Sequence, residues 1–322
     1  MGAEGDRGRL SHRAAAGLAV CWHTANIAIL AEGRRRLIDD PARFGGVTTI
    51  GVDEHVWRHT RFGDKYVTVI IDPTPAREKT GPARLLDMVE GRSKVVFKQW
   101  LTDRPKEWSK RIEVVAMDGF SGFKTAAAEE LPHATPVLDP FHVVRLAGDA
   151  LDVCRRRVVL QDMTGLRGLR DDPLYKIRRT LHTGARLFTQ KQQIRLDAVF
   201  AVEEHVEVEA TWGIYQRIVA AYRGPDKRKA KQMMQAAIDT TTGVPAALVE
   251  IRKLGRTLKQ RATDILAFFD RPGTSNGPTE AINGRLEHLR RSALGFRNLT
   301  NYVARSLLEC GGFTPALHPQ MR

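Results

Sequence analysis

Apolar and β-branched positions begin at residue 45 and predict a pair of neighbouring strands. The segment GGVTTIGVDEHVWRHT (45–60) is rich in β-branched residues, and DKYVTVIIDPTP (64–75) repeats that pattern after a short polar stretch. Such residues suit the pleated, half-buried surface of a sheet. We therefore expect a hairpin with its turn at 61–64, followed by a short third strand at 84–89.

Helical and strand patterns alternate over the next stretch. Residues 94–101 carry apolar side chains at helical spacing, and KRIEVVAMD (110–118) is a buried-type strand that ends in Asp118. FKTAAAEELP predicts a helix closed by Pro132, and ATPVLDPFHVVRL (134–146) predicts one more strand. This order predicts the α/β class, a mixed sheet with helices packed on it.

The pattern changes after Phe141, where long, basic segments with helical periodicity run to about Phe269. Those expected to be helices are FHVVRLAGDALDVCRRRVV, TQKQQIRLDAVFAVEEH, EATWGIYQRIVAAYR and AALVEIRKLGRTLKQRATDILAFF, while DKRKAK (226–231) is interpreted as a solvated face. We therefore predict a large all-helical insertion. It divides the chain into a first core part (45–140), the insertion (141–269) and a second core part (270–322).

Charge indicates the partner. Lysine and arginine number 51 against 37 aspartates and glutamates, and the net charge of +14 attracts polyanions. Nucleic acid is the expected partner, with a basic but otherwise ordinary enzyme as the alternative.

Other features of the composition exclude several classes of protein. No stretch approaches the roughly 18 consecutive apolar residues of a membrane span, and the N-terminus lacks a secretory pattern. We therefore expect no membrane partner and a cytoplasmic location of the bacterial type, with a nucleus as the alternative. The cysteines Cys21, Cys154 and Cys310 lie far apart without CxxC spacing, so a disulfide framework and a zinc ribbon are not indicated.

Two aspartates each end an apolar run, Asp53 in TTIGVD and Asp118 in EVVAMD. If the two strands are neighbours, both carboxylates reach one hard cation such as Mg²⁺, which prefers a few carboxylates and keeps waters and phosphate oxygens as its other ligands. Alone, either aspartate is better explained as the cap of a turn or helix. The pair favours metal-dependent nuclease chemistry.

A third acid, Glu280, lies in the first turn of a helix that follows SNGP, where Asn276 or Thr279 is expected to cap it. Helical spacing places Glu280 on one face with Asn283 and Glu287. The alternative is that this glutamate only complements the helix macrodipole. Basic residues on the other faces are expected to contact DNA phosphates: Arg285, His288, Arg290 and Arg291.

The segments IGVDEHVWRHT, VVAMDGFSGF, VLDPFHVVRLAGDAL and TSNGPTEAINGRLEHLRRSALGFRNLTNY occur in this order and resemble the blocks of ISL3-family insertion-sequence transposases. The resemblance runs from about residue 45 to the C-terminus. It implies a ribonuclease H-like core with a DDE triad, whose acids fall on Asp53, Asp118 and Glu280. Supporting candidates are Asp139, His142, Asn276 and Asn283.

The N-terminal region departs from the family pattern, because related transposases carry a cysteine-rich zinc motif and a helix-turn-helix there. We expect residues 1–44 to be a partial helix-turn-helix-like DNA-binding segment, and the chain to be shortened at its front. The candidate recognition helix is 23–37, with its basic end at Arg34, Arg35 and Arg36. An ordinary surface helix is the alternative.

The resemblance implies a transposase that cleaves DNA and joins the freed 3′-hydroxyl to target DNA, with Mg²⁺ or, in its place, Mn²⁺. Its implied partners are double-stranded DNA, as terminal repeats and as target, and further copies of the chain in a homo-oligomer on DNA. It is expected to associate with the nucleoid when bound. Two alternatives stay open: a nuclease of the same fold that does not join strands, and a catalytically idle DNA-binding remnant.

Overall fold

The computed structural model describes residues 21–60, 65–162 and 172–313. The predicted turn at 61–64 and the first part of the helix-turn-helix-like segment lie outside these residues. The chain divides into two compact units. One contains the described residues up to Pro136 together with those from Asn276 onward, and the other is Val137–Ser275.

A five-stranded mixed sheet has the strand order β3-β2-β1-β4-β5. β1 pairs antiparallel with β2 and parallel with β4, so it is the central strand. The predicted α/β class is confirmed. The strands are β1 (Thr49–Val56), β2 (Tyr66–Asp72), β3 (Arg84–Glu90), β4 (Val114–Met117) and β5 (Thr135–Leu138).

Helices precede and follow these strands in the first unit. Before the insertion they are α1 (Trp22–Gly33), α2 (Thr74–Glu78), α3 (Lys94–Thr102), α4 (Lys106–Arg111) and α5 (Ser121–Glu130). The second unit contains α6 (Pro140–Asp162), α7 (Pro173–Lys176), α8 (Arg178–Leu181), α9 (Gln190–Phe200), α10 (Val206–Arg223), α11 (Lys227–Thr240), α12 (Val249–Gln260) and α13 (Ala262–Asp270). The chain then returns to the first unit with α14 (Gly277–Ser292) and α15 (Leu299–Cys310).

Alternating residues of the central strands pack into two apolar cores, one on each face of the sheet. Val52 and Ile70 face a core that includes Phe97 of α3 and Phe123 of α5. On the opposite face, Val69 and Ile71 pack with residues of α14 and α15, namely Ile282, Leu286, Tyr302 and Leu307. Since both faces are covered, the strands are apolar nearly throughout, as the sequence pattern indicates.

The second unit has a core of its own, in which Leu151, Ile218 and Leu258 are fully buried. Apart from the end of β5, its regular elements in the described residues are helices. This confirms the predicted fold class, with a large helical insertion before Glu280. The predicted insertion, 141–269, falls inside this unit, whose bounds are 137 and 275.

One predicted helix of the insertion was wrong, and another helix was not predicted, although its charged run forms a solvated face as expected. The run DKRKAK opens the helix α11, which buries Ala230, Met234 and Ile238 on one side while its lysines and arginine lie on the other. The single helix expected at 246–269 is two helices, α12 and α13, that meet at Arg261. Arg261 and Asp264 form a buried ion pair with Nε and Oδ2 2.7 Å apart, which anchors the first turn of α13.

The candidate recognition helix packs inside the first unit. α1 is followed by a π-helical turn, Arg34–Ile38, and Leu37 is buried. Gly33 contacts α15 so closely that a Cβ there would lie 2.3 Å from Leu308 Cδ2. Arg34, Arg35 and Arg36 are exposed, and Glu32 binds the last two. In the described residues, no helix is both long and apolar enough to cross a membrane.

Candidate active site

The register of two parallel strands brings Asp53 and Asp118 side by side. Gly51 pairs with Ala116 and Val52 with Met117, so the next residue of each chain segment is one of these aspartates. Neighbouring strands lie about 4.8 Å apart. Asp118 follows the end of β4, and its Oδ1 accepts a hydrogen bond of 2.9 Å from the Phe120 amide.

Asp53 does not end its strand, contrary to the sequence interpretation. β1 continues to Val56, because its pairing with β2 extends three residues past Asp53, to Val56 and Tyr66. Asp53 therefore lies within a paired strand, which holds its backbone on one side. Its Oδ1 accepts a 2.8 Å hydrogen bond from the Glu54 amide.

Helix α14 runs along the face of β1 that carries Gly51 and Asp53. A Cβ on Gly51 would lie 2.7 Å from Thr279 Oγ1, so the helix approaches the strand where a side chain is missing. Asn283 Nδ2 donates a 3.0 Å hydrogen bond to Asp53 Oδ2. Asn283 Oδ1 is buried and has no hydrogen-bond partner within the described residues.

His55, two residues beyond Asp53 on the same face of β1, makes a third contact after those of Gly51 and Asp53. The Tyr302 hydroxyl donates to the Leu286 carbonyl at 3.1 Å and lies 2.8 Å from His55 Nε2. A hydroxyl has one proton, so His55 Nε2 is the donor in the second bond. Burial lowers the pKa of His55 to about 4. This neutral pair ties α14 to β1.

Glu280 lies in the first turn of α14, directly after the buried Thr279, and is itself exposed. Asn276 is the N-cap residue, as expected, although its side chain does not cap a backbone amide. Its Oδ1 instead accepts a 2.6 Å hydrogen bond from the Thr279 hydroxyl. Thr279 is thereby fixed against Gly51, and the position of Glu280 follows from it.

The electrostatics of Asp53 reflect this acidic surrounding. Burial, and then the negative charges of Asp118, Glu54 and Glu280, raise its pKa to about 7, against the opposing hydrogen bond from the Glu54 amide. Within the described residues, neither Asp53 nor Asp118 has a lysine or arginine partner. The site thus concentrates carboxylates without balancing cations.

A tighter group of potential metal ligands lies in the second unit. The ligand atoms of Cys154, Glu207 and Glu250 lie within 4.8 Å of one another, closer together than the acids around Asp53. However, Arg157 already binds both carboxylates, with its Nε 2.8 Å from Glu250 Oε1. This arginine supplies the positive charge, so the group is a partly buried ion-pair network.

The basic residues predicted on α14 differ in availability. Arg285 and His288 are exposed, and the side chain of Arg291 is 77% exposed. Arg290 differs in its burial, because its side chain is only 12% exposed. Both Arg290 and Arg291 bind Glu287, at 2.7 Å and 2.6 Å. One carboxylate therefore pairs with two arginines, of which only Arg291 is open to solvent.

Asp139 and His142 lie in the second unit, at the start of α6. Asp139 is buried, and its Oδ2 accepts a 3.2 Å hydrogen bond from the His142 amide. It thus caps the helix, and, after burial, its charge further raises the pKa of Tyr222. A structural role accounts for these contacts.

Sequence reasoning missed Gly51, His55 and Tyr302 as parts of the site. The alternation of side chains along a strand could have identified Gly51 and His55, since residues 51, 53 and 55 share one face. No sequence pattern could have identified Tyr302, because it lies 247 positions from His55 in the chain.

Comparison with known proteins identifies the family. Residues 50–306 match the family model of ISL3-type DDE transposases, whose description is "Transposase". The transposases for insertion sequence element IS1557 of Mycobacterium tuberculosis strains CDC 1551 / Oshkosh and ATCC 25618 / H37Rv are each 25% identical to this chain over 332 residues. These alignments cover 94% of the chain and 70% of each relative. The chain belongs to the ISL3 family of DDE transposases, and its mixed five-stranded sheet with flanking helices has the ribonuclease H-like fold predicted from the sequence.

Proposed function

We propose that this chain cleaves DNA at the ends of an insertion sequence and joins those ends to target DNA, with Asp53, Asp118 and Glu280 as the catalytic acids. One observation carries the proposal: β1, the end of β4 and the first turn of α14 converge so that the charges of Asp118 and Glu280 raise the pKa of Asp53. Family membership implies DNA as the substrate and a divalent metal ion as cofactor.

The residues fit a hard divalent cation. Carboxylate oxygens are its preferred protein ligands, and the carboxylates of Asp53 and Asp118 have no basic partner in the described part of the chain. We propose Mg²⁺, with Mn²⁺ as a substitute, held by Asp53, Asp118 and Glu280. When bound, the ion makes the attacking hydroxyl more acidic and offsets charge on the leaving 3′ oxygen.

The surrounding residues hold the acids in place. The Glu54 amide and the Asn283 side chain bind one oxygen each of Asp53, which restricts rotation of that carboxylate. The Phe120 amide does the same for Asp118. Asn283 is therefore proposed as a positioning residue.

The reaction has two steps of the same kind. In cleavage, water adds across a phosphodiester bond, the bond from phosphorus to the 3′ oxygen breaks, and a 3′-hydroxyl and a 5′-phosphate form. In joining, that 3′-hydroxyl bonds to a phosphorus of the target strand and transfers its proton as the target's own 3′ oxygen leaves. Both steps need an acidic site open to DNA, and Glu280 is exposed.

The partners follow from this chemistry. We propose that exposed cations of the first unit contact duplex DNA, and that homo-oligomers on DNA hold the two element ends at the bacterial nucleoid. The contacts assigned to phosphates are Arg34, Arg285, His288 and Arg291, all of which are exposed.

The test uses labelled duplexes that carry the inverted repeats flanking the gene, with Mg²⁺ for cleavage and joining and with EDTA for binding. Asp118→Asn should abolish cleavage but keep DNA affinity, because an amide is a poor ligand for a hard cation and no phosphate contact is lost. Asp103→Asn is the matched control, since Asp103 is exposed and bonds Gln99 on the same short helix.

Each alternative gives its own result. Cleavage by Asp118→Asn at the parental rate would refute the assigned site. Cleavage by the parental protein without any joined product would favour a nuclease of this fold. Salt-dependent binding without cleavage would instead favour an idle DNA-binding remnant.

A further inference from the structure

The second unit contains a basic cleft of its own, whereas the acidic site belongs to the first unit. The cleft has a volume of about 490 Å³ and is formed by the end of α11 and one face of α12. Its lining residues are Thr241, Thr242, Val249, Arg252, Gly255, Arg256 and Lys259. The positively charged members share helix α12.

The spacing of these cations places them in one row. Arg252, Arg256 and Lys259 are separated by four and three residues, so their side chains emerge from the same face of the helix. The opposite face holds Ile251 and Leu258, which are buried in the core. The helix is therefore anchored by its apolar side and presents a fixed row of positive charge.

Within the described residues, these charges have no acidic partner. Arg252, Arg256 and Lys259 are exposed, and no side-chain hydrogen bond or ion pair links them to another described residue. Other cations of this unit do have acidic partners. Arg157 binds Glu250, and Lys231 binds Asp270 at 2.6 Å.

The floor of the cleft depends on a glycine. A Cβ at Gly255 would lie 2.6 Å from Thr241 Oγ1 and 2.7 Å from the Thr241 carbonyl oxygen. The missing side chain lets the end of α11 approach the middle of α12, while Thr242 stays exposed beside the cations. Its hydroxyl and the three basic side chains form a polar, concave surface.

We infer that this cleft binds the phosphate backbone of duplex DNA. Arg252 and Lys259 lie about 10.5 Å apart along the helix at 1.5 Å per residue. One DNA strand carries a phosphate about every 3.4 Å of duplex axis, so the row spans about three phosphates. The inference rests on the proposed function, since it takes DNA as the ligand, and it adds a contact surface in the second unit.

The experiment compares two triple variants with the parental chain. In the cleft variant Arg252→Gln, Arg256→Gln and Lys259→Gln are combined. The control variant combines Lys253→Gln, Arg228→Gln and Lys229→Gln, which remove the same charge from exposed positions of α11 and α12 outside the cleft. Affinity for a labelled duplex is measured in EDTA at several salt concentrations, after thermal unfolding has shown that both variants are folded.

The cleft variant should flatten the slope of log affinity against log salt by about 2.7, or 0.9 for each of three phosphates. Extrapolated from 1 M salt, this corresponds to a loss of about 170-fold at 0.15 M salt. The control variant should keep nearly the parental slope. Equal losses in the two variants would overturn the inference, because a general effect of net charge would then explain both.

A competition experiment tests whether the ligand of the cleft is duplex DNA or a small anion. Inorganic phosphate at matched ionic strength should displace DNA from the parental protein no better than chloride does. Selective displacement by phosphate that the cleft variant abolishes would make the cleft a small-anion site and overturn the inference.

Cleavage with Mg²⁺, measured in parallel, keeps the two proposals distinct. A parental protein that binds through the cleft but never cuts would contradict the proposed function alone. A parental protein that cuts DNA, with a cleft variant that binds DNA as well as the control variant does, would contradict only the proposal that the cleft binds DNA.

Discussion

Gly51→Ala adds a single methyl group at the contact between β1 and α14. The new Cβ would lie 2.7 Å from Thr279 Oγ1 and 2.8 Å from Ile71 Cγ1. Neither neighbour moves easily. The Thr279 hydroxyl is held by Asn276 at 2.6 Å, and Ile71 is fully buried in the core of the same face.

Overpacking of this kind costs about 1–3 kcal/mol of the free energy of unfolding. For a domain of about 150–250 residues, each kcal/mol lowers the melting temperature by about 2–4 °C. We therefore expect Gly51→Ala to melt about 2–12 °C below the parental protein. DNA cleavage should fall as well, because Thr279 directly precedes Glu280, and a helix pushed off the strand carries that carboxylate with it.

The matched control is Gly284→Ala, in the middle of α14, where a Cβ would meet nothing within 4 Å. Alanine is favoured over glycine inside a helix by about 0.5–1 kcal/mol, so this variant should be slightly more stable than the parent. Thermal unfolding in EDTA and cleavage with Mg²⁺ are the two measurements. Combining Gly51→Ala with Thr279→Ala removes one of the two close contacts and should recover part of the lost stability. If Gly51→Ala melts at or above the parental temperature, the close approach of α14 to β1 is wrong.

Two further predictions concern the pair that ties α14 to β1. Tyr302→Phe leaves the buried His55 N–H without an acceptor, whereas the Leu286 carbonyl keeps its hydrogen bond within α14. We expect a loss of about 1–3 kcal/mol in the free energy of unfolding, measured by denaturant unfolding. An unchanged midpoint would contradict these bonds. The pKa of His55 is lowered to about 4, whereas an unfolded chain has about 6.5, so the unfolded state binds a proton first as the pH falls. Neutral His55 should therefore contribute its full stabilisation above pH 6.5, and this contribution should fall by about 3 kcal/mol at most by pH 4. The measurement is the difference in the free energy of unfolding between the parental protein and His55→Gln, which should shrink as the pH falls. A difference that stays constant with pH would refute the prediction.

Local patterns in the sequence were sufficient to predict most elements of the sheet domain. β-Branched runs predicted β1 and β2, and Pro132 marked the end of the helix before β5. These predictions succeed because burial repeats every second residue in a strand and about every 3.6 residues in a helix. The same reasoning did not identify α11, because its charged start was interpreted only as a solvated face and the apolar side that packs in the core begins at Ala230.

The acidic residues were also identified from the sequence, by their positions after apolar runs and by resemblance to the ISL3 family. Their catalytic role stays a proposal. The sequence did not predict that Arg290 binds Glu287, although the two are three residues apart on one helix. Several cations on a helix can reach one carboxylate, and packing decides which of them becomes buried beside it.

Only the tertiary structure determined what surrounds the acids and which cations are free. Asp53 and Asn283 are 230 positions apart, and no periodic pattern connects them. Their contact exists because β1 is central in the sheet and lacks a side chain at Gly51, which lets α14 pack closely over it. The same holds for Arg252, Arg256 and Lys259. Their lack of acidic partners in the described part of the chain depends on where every neighbouring carboxylate lies after folding. The periodicity of the sequence indicates whether a residue is buried. Which residues become its neighbours is determined by long-range packing of helices and strands within the core of each unit.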